Sequence, residues 1–398
     1  MSGHLEDLSP SQARDLEEFR RILSDVLKPK HDDRLLLQFL RARRFDLKKA
    51  EDMFRKHLQF REEYDDDYLL TEYKPPELLI KYFLPPLMGY DHDGCPVRII
   101  NAGPADIKGI VSCFRRPEIR RCVTYFLDKD KEEMKKRNEE TGKYVETRTF
   151  IFDLNGLSLR QIYHKDVYEL VISFLKLYEG NYPENLKVAY VINTPSFFAW
   201  MFSMIKSLLS EDTVKKLKIY GHSGWKEDLL QAMDPDILPV IYGGTKTDPD
   251  GDPRCRTMIP PGGPIPTKYY LKNTQKLNPE DENVQRVVVG RRSKHIAPIR
   301  VELPGSTICW EVECQNCDIN LYLLHTDGPA AEVVVEPTRV NNNLGLEKGF
   351  FMAERAGNYA IVFDNSYSLL RSKTILYKCY IATSTAREYE PLQFVKKS

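Results

Sequence analysis

The chain has 398 residues, and its 58 lysine and arginine residues are balanced by 58 aspartate and glutamate residues. A chain of this length is longer than one hydrophobic core usually supports, so two or three domains are expected. The balanced charge argues against a nucleic-acid partner, because no general positive field would attract a polyanion.

The sequence also predicts the cellular compartment of the protein. No signal peptide is expected from the polar stretch MSGHLEDLSP, and no apolar run reaches the length of a transmembrane helix. Eight cysteines are scattered irregularly through the chain. Such cysteines are typical of reduced thiols, and we expect a cytoplasmic protein.

The residues before the Pro75-Pro76 pair predict an N-terminal α-helical domain. Apolar residues recur at helical spacing from Ser9 to about Leu70, which indicates three or four short helices. We place this domain at 1–75.

From about residue 82 the hydrophobic period changes, and strand-like runs alternate with helical patterns. The runs are at 97–103, 149–154 and 188–193, and the helical patterns between them are at 118–137 and 165–179. Strands that alternate with long helices imply crossover connections and a mostly parallel sheet. We place this α/β domain at 76–245.

The last part of the chain predicts an all-β sandwich. A proline- and glycine-rich stretch indicates a linker, which we place at 246–275. Seven short β-rich runs separated by turn signals follow, over 276–385. The chain is therefore expected to be a multidomain protein.

The segment TPSFFAWMFSMIKSLL at 194–209 is unusually apolar. Thr194 and Pro195 predict an N-cap and a first helical position. The apolar arc of this helix is about 200° wide, about twice what a surface helix needs. The helix is too short to span a bilayer. A buried core helix, a protein interface and a movable lid over an apolar ligand remain three open interpretations.

Catalytic and metal-binding motifs are incomplete. The GHSGW stretch resembles a serine hydrolase elbow, but Trp225 stands where the second glycine belongs. Cys314 and Cys317 have the spacing of a zinc or redox pair, but no second pair accompanies them, and two ordinary cysteines are expected. We expect no enzymatic activity, no cofactor and no metal.

Two basic clusters adjoin apolar segments: Arg41, Arg43 and Arg44, and Lys215, Lys216 and Lys218. Cations beside an exposed apolar surface can hold anionic headgroups at a membrane. An ordinary solvated basic face explains these clusters equally well.

Several motifs follow the order found in a known family. They are LLQFLRARRFD, GYDHDGCPV, FIFDLNGLSL, EGNYPENLKVAYVINTPSFFAWMFSMIKSLLSEDTVKKLKIYG and LPVIYGGT. In this order they resemble the CRAL-TRIO lipid-transfer family with its preceding helical domain. The later stretch AGNYAIVFDNSYSLLRSK resembles a GOLD domain. The resemblance covers roughly residues 8 to 385.

The resemblance implies a ligand cavity that is floored by the sheet and closed by the apolar helix. The residues implied to line it are Phe150, Phe152, Leu154, Phe174, Leu177, Tyr178 and Leu186. Those implied to close it are Phe198, Met201, Phe202 and Ile205. Residues implied to meet a headgroup or a membrane are Glu184, Lys215, Lys216, Arg41 and Arg43.

The resemblance also implies ligands and a function. Glu184 and Lys216 match positions near the headgroup of phosphatidylinositol in some members, but Asn185 stands where those members have a basic residue. Phospholipid, tocopherol, squalene and retinoids therefore stay open as ligands. The implied function is a carrier of a hydrophobic molecule, cytoplasmic and transiently at membranes. An adaptor that responds to lipid and regulates a lipid-metabolic or Golgi protein is the alternative.

The GOLD-like sandwich is expected to contact a membrane or a protein partner. The resemblance further implies association with the Golgi.

Overall fold

A computed structural model describes residues 5–64, 66–162, 165–274, 276–315, 317–328, 330–341, 345–382 and 390–391. The chain divides into two units. The first comprises Met1–Ile110 and Arg116–Pro264, and the second comprises Val111–Arg115 and Ile265–Ser398.

Helices form the beginning of the first unit, as the sequence predicts. They are α1 (Pro10–Ile22), α2 (Asp33–Ala42), α3 (Leu47–Tyr64), α4 (Asp66–Thr71) and α5 (Glu77–Tyr82). Ser9 and Gln12 form a capping box at the start of α1, since each side chain accepts a hydrogen bond from the backbone N–H of the other residue. Phe19, Phe39 and Phe54 are fully buried between α1, α2 and α3, with edge-to-face ring contacts.

A five-stranded sheet follows, with order β1-β2-β3-β4-β5. The strands are β1 (Leu87–Tyr90), β2 (Pro96–Asn101), β3 (Arg148–Asp153), β4 (Leu186–Ile192) and β5 (Leu217–Ile219). The pair β1–β2 is antiparallel and the other three pairs are parallel, which confirms the predicted mostly parallel sheet. The short edge strands β1 and β5 were not predicted.

Helices lie between the parallel strands and after β5. They are α6 (Ile107–Cys113), α7 (Arg116–Thr141), α8 (Leu159–Ile162), α9 (Lys165–Asn181), α10 (Phe198–Ile205), α11 (Glu211–Lys215) and α12 (Trp225–Ala232). The long helices α7 and α9 lie in the crossovers β2–β3 and β3–β4, as parallel pairing requires.

The two faces of this sheet have different surroundings, because side chains alternate along a strand. Ile151 of β3 lies in a core cluster with Tyr190 of β4 and Trp225 of α12. Phe150 and Phe152 belong to the clusters on the other face. That other face is the one on which α9 and α10 pack.

The second unit contains two antiparallel sheets, as the sequence predicts. After the short helix α13 (Leu271–Thr274), the strands are β6 (Gln285–Val289), β7 (Lys294–Val301), β8 (Thr307–Gln315), β9 (Asp318–His325), β10 (Glu332–Asn341), β11 (Glu347–Met352), β12 (Gly357–Asp364), β13 (Lys373–Ala382) and β14 (Glu390–Pro391). One sheet has the order β10-β9-β12-β7, and the other has the order β11-β8-β13-β14 with β6 also on β13. Their inner side chains share one core, which includes Trp310 and Phe363.

Two expectations from the sequence were wrong. The apolar helix begins at Phe198, and Phe197 occupies its N-cap without a side-chain cap. Thr194 is not the N-cap, because it lies four residues before Phe198, and its hydroxyl donates to the carbonyl of Tyr220 at 2.8 Å. Cys314 and Cys317 form a disulfide, although free thiols were expected, because the β8–β9 connection brings their Cα atoms to 5.4 Å.

Part of the predicted linker is packed against the first unit. Cys255 and Ile259 are buried and belong to the same core cluster as Trp225. The domain boundaries given from the sequence stay predictions.

Candidate functional site

The first unit contains a cavity of about 500 Å³. Small-molecule sites in proteins usually measure about 300–1,000 Å³, so this volume suffices for a ligand. The cavity lies between one face of the sheet and the helices α7, α9 and α10, and its lining is almost entirely apolar. Such a lining favours a hydrophobic molecule over a polar one.

All eleven residues that the resemblance assigned to a ligand line this one cavity. They are Phe150, Phe152, Leu154, Phe174, Leu177, Tyr178, Leu186, Phe198, Met201, Phe202 and Ile205. The structure therefore brings them together, although they come from two strands, two helices and the turn after β3. Their contact with a ligand stays a prediction.

The helix α10 has apolar side chains on both of its sides. Phe198 and Phe202 line the cavity, and their rings stack with centroids 5.8 Å apart. On the outer side, Trp200 is 44% exposed. The wide apolar arc seen in the sequence therefore corresponds to a helix that covers the cavity and also presents apolar surface to solvent.

A small polar pocket adjoins the cavity and collects three of the five predicted headgroup residues, Arg43, Glu184 and Lys216. The Nζ atom of Lys216 lies 3.4 Å from Oε2 of Glu184. The pocket has a volume of about 30 Å³, which holds a water molecule but no lipid headgroup. The contact of these residues with a headgroup stays a prediction.

The other two predicted headgroup residues lie elsewhere. The guanidinium of Arg41 forms an ion pair of 2.5 Å with Glu146, and both side chains are only 8% exposed. This pairing leaves Arg41 little capacity to meet a headgroup. Lys215 is exposed and pairs with Asp212 at 3.0 Å. Asn185, at the position that is basic in some relatives, is buried and donates to the carbonyl of Pro183 at 2.9 Å.

Tyr178, Glu179, Leu186 and Thr213 line both the cavity and the polar pocket. Within the described part of the chain, the Tyr178 hydroxyl and the Oε1 atom of Glu179 are buried without a hydrogen-bond partner. Burial raises the pKa of Tyr178 to about 12, so its hydroxyl stays protonated near neutral pH. These are the polar groups at the boundary between the two spaces.

Sequence reasoning missed other lining residues, including Phe83, Phe126, Val191, Met204 and Leu209. Val191 shares a face of β4 with Ala189, which also lines the cavity, but the residue predicted from this strand was Leu186. Alternation from Leu186 does not lead to Val191, because the strand register shifts between Leu186 and Val188. Phe83 and Phe126 gave no signal either, since no local sequence pattern shows which side of a helix or turn faces the cavity.

The structure shows where the incomplete catalytic motif lies and which groups could hold a metal ion. In the GHSGW stretch, Gly224 is the N-cap of α12 at a φ of 84°, and Trp225 is buried in the core below it. The stretch is thus a helix entry that needs glycine's freedom. Among the described residues, no group of three or more histidine, cysteine, aspartate or glutamate side chains could hold a metal ion. No helix in the described ranges is long and apolar enough to cross a membrane.

N-terminal helices followed by an α/β sheet that borders a large apolar cavity are the features of a class of proteins that bind hydrophobic molecules. The family model described as "CRAL/TRIO domain" matches residues 80–244, and the one described as "CRAL/TRIO, N-terminal domain" matches residues 1–56. Together the two matches span more than half of the chain. The chain therefore belongs to the CRAL/TRIO family of lipid-binding proteins.

Solved structures resemble parts of the chain. The crystal structure of Sfh5 is 20% identical, covers 62% of this chain and 78% of its own, and gives a TM-score of 0.45. The Yersinia pseudotuberculosis-derived mitogen is 10% identical, covers 26% of this chain and 87% of its own, and gives a TM-score of 0.20. At these TM-scores neither likeness bears on function. The assignment of the sandwich as a GOLD domain stays a prediction.

Proposed function

We propose that the protein binds a hydrophobic small molecule or lipid in the cavity and carries it between membranes, with α10 as a lid. The observation that carries this proposal is the two-sided apolar character of α10. Phe202 lines the cavity while Trp200 on the same helix is exposed. A helix of this kind suits two environments, the ligand on one side and a bilayer surface on the other.

The binding step follows from the lining. Burying apolar surface stabilises a complex by about 25 cal/mol for each Å² removed from water, so an apolar cavity needs few polar contacts to hold its ligand. Tocopherol, squalene and retinoids fit this chemistry. A phospholipid also fits, provided that the ion pair between Glu184 and Lys216 opens to admit a headgroup between them and Arg43.

The release step requires that α10 moves. The helix has eight residues, lacks a side-chain cap at Phe197 and continues into a 3₁₀ turn at Lys206–Leu208. Short helices without caps gain little stability from their own backbone, so the position of α10 depends on its packing. A membrane that accepts Trp200 would compensate for the packing that α10 gives up when it leaves the cavity.

The proposed setting is the cytoplasm, with transient visits to membranes including the Golgi. The proposed role is non-catalytic, because carriage needs only extraction, shielding and delivery. The β-sandwich would contact a protein partner or a membrane.

The test measures lipid that co-purifies with the full-length protein, by mass spectrometry, and transfer of a fluorescent lipid between vesicles. Phe202→Asp places a charge in the apolar cavity and should abolish both co-purification and transfer. Ser203→Asp adds the same charge at the adjacent exposed position and should keep the co-purified lipid. Full occupancy in Phe202→Asp would refute the lid. Occupancy without transfer in the unaltered protein would favour a lipid-responsive adaptor.

A further inference from the structure

The β-sandwich presents two adjacent leucines at one end. Leu369 is 59% exposed and Leu370 is 86% exposed, which is the largest exposure of the large hydrophobic residues in the described part of the chain. Both lie in the turn between β12 and β13. Exposed leucines are common singly, but a pair that projects this far needs a physical reason.

The turn is held firmly, so the exposure of the leucines is built into the fold. Asn365 at the base of the turn is fully buried, and its side-chain amide donates to the carbonyls of Val289, Gly290 and Arg371 at 3.3, 2.9 and 3.0 Å. The backbone N–H of Arg292 donates to the carbonyl of Ser368 at 3.1 Å. These bonds join the β12–β13 turn to the neighbouring β6–β7 turn.

The joined turns also carry positive charge beside the leucines. Arg291 and Arg292 of the β6–β7 turn and Arg371 of the β12–β13 turn are all exposed. Within the described ranges, no acidic side chain forms an ion pair with any of the three. We call Leu369 and Leu370, together with these three arginines, the dileucine tip.

We propose that the dileucine tip docks the protein on a membrane that contains anionic lipid. The two leucines would enter the boundary between headgroups and acyl chains, and the arginines would contact phosphate or carboxylate groups of the surrounding lipids. Charge complementarity favours this occupant, because unpaired guanidinium groups next to apolar side chains match the layered chemistry of a bilayer surface. A projecting pair of leucines also needs no shaped groove in its partner.

This proposal adds a second membrane contact to the proposed carrier, at residues remote in sequence from α10. It does not depend on the ligand of the cavity, so the two proposals can fail separately. Lipid occupancy tests the cavity, and vesicle binding tests the dileucine tip.

The experiment compares binding of the full-length protein to vesicles of phosphatidylcholine with phosphatidylserine and to vesicles of phosphatidylcholine alone. The double variant Leu369→Ser/Leu370→Ser should bind the anionic vesicles about tenfold more weakly. The double variant Arg291→Ser/Arg292→Ser should lose about fivefold for each arginine, and its remaining binding should depend less on salt.

Matched controls lie in the same sandwich. Leu303 is 61% exposed at another turn, and Arg355 is 61% exposed but pairs with Glu332. Leu303→Ser and Arg355→Ser should bind as the unaltered protein does. All variants should keep their co-purified lipid, which shows that the first unit is folded, and their circular dichroism spectra should match that of the unaltered protein, which checks the sandwich.

Unchanged binding of both tip variants to anionic vesicles would overturn the proposal. So would equal binding of the unaltered protein to the two kinds of vesicle, since the arginines would then have no role. If the folded, lipid-loaded protein bound neither kind, the proposal would also be wrong, and a protein partner would remain as the occupant of the tip.

Discussion

Arg41 of α2 and Glu146, in the segment before β3, form a buried ion pair that links the N-terminal helices to the α/β sheet. Glu146 also accepts hydrogen bonds from the side chains of Gln38 and Tyr144, each at 3.1 Å. A carboxylate with so many donors depends on them for its burial, because desolvation of an unpaired charge is costly.

Removal of Arg41 should therefore destabilise the first unit. We expect Arg41→Ala to lower the free energy of unfolding by about 3–5 kcal/mol, because Glu146 would be left buried without its counter-ion. Urea unfolding followed by circular dichroism measures this change. The control is Arg44→Ala, since Arg44 and Glu211 form an exposed pair that should contribute at most about 1 kcal/mol. Equal losses in the two variants would contradict the structural role of Arg41.

The outer side of α10 should affect transfer and not binding. In Trp200→Ser the helix loses its largest exposed apolar side chain, and we expect transfer of lipid between vesicles to slow about tenfold. Lipid occupancy should be unchanged, because Phe198, Met201 and Phe202 still line the cavity. Ala199→Ser, at the neighbouring exposed position, should transfer at the normal rate. A normal rate in Trp200→Ser would argue that the lid reaches the membrane in another way.

Filling the cavity should displace the ligand and leave the fold intact. Ala189 on β4 lines the cavity, and Ala189→Phe would place a ring in space that the chain leaves open. We expect co-purified lipid to fall several-fold, because the new ring occupies space that the ligand needs, while the free energy of unfolding falls by at most about 3 kcal/mol. Tyr190→Phe is the control, because Tyr190 lies on the opposite face of the sheet, in the core with Trp225. Full occupancy in Ala189→Phe would show that the ligand binds elsewhere.

Reduction of the Cys314–Cys317 disulfide should weaken the sandwich modestly. The bond closes a loop between residues only three positions apart, so loop-closure entropy predicts about 2 kcal/mol of stabilisation. A reductant should lower the melting temperature of the sandwich in differential scanning calorimetry. Cys317→Ser should melt at that lower temperature and show no response to the reductant. A reductant effect that persists in this variant would show that the loss of stability does not come from the Cys314–Cys317 disulfide.

The sequence predicted the order of helices and strands well, and the reasons for its failures are specific. Strand β11 escaped prediction because Gly349 weakens a strand pattern. The glycine is needed because a Cβ atom there would collide with the Trp310 ring on the paired strand β8. That requirement exists only once the two strands are paired.

In the candidate site too, relationships between residues close in sequence could be predicted, and those between residues far apart in sequence could not. Phe150 and Phe152 were assigned through the resemblance, and alternation along one strand, which is local information, agrees with placing both on the same face. The pairing of Arg41 could not be foreseen, because its partner, Glu146, lies 105 residues away in the chain. From the sequence, a basic residue in a cluster is expected to be solvated, and only the fold shows that a buried carboxylate pairs with it.

The alternation along β3 has a consequence for how such a protein can diversify. Phe150 and Phe152 border the cavity, whereas Ile151 belongs to the core on the reverse of the same strand. Substitutions at the two phenylalanines can thus reshape the chamber while the core on the reverse face, which includes Ile151, is left untouched. Alternate residues of one strand therefore face two separate surroundings, the ligand cavity on one side and the core with Ile151 on the other.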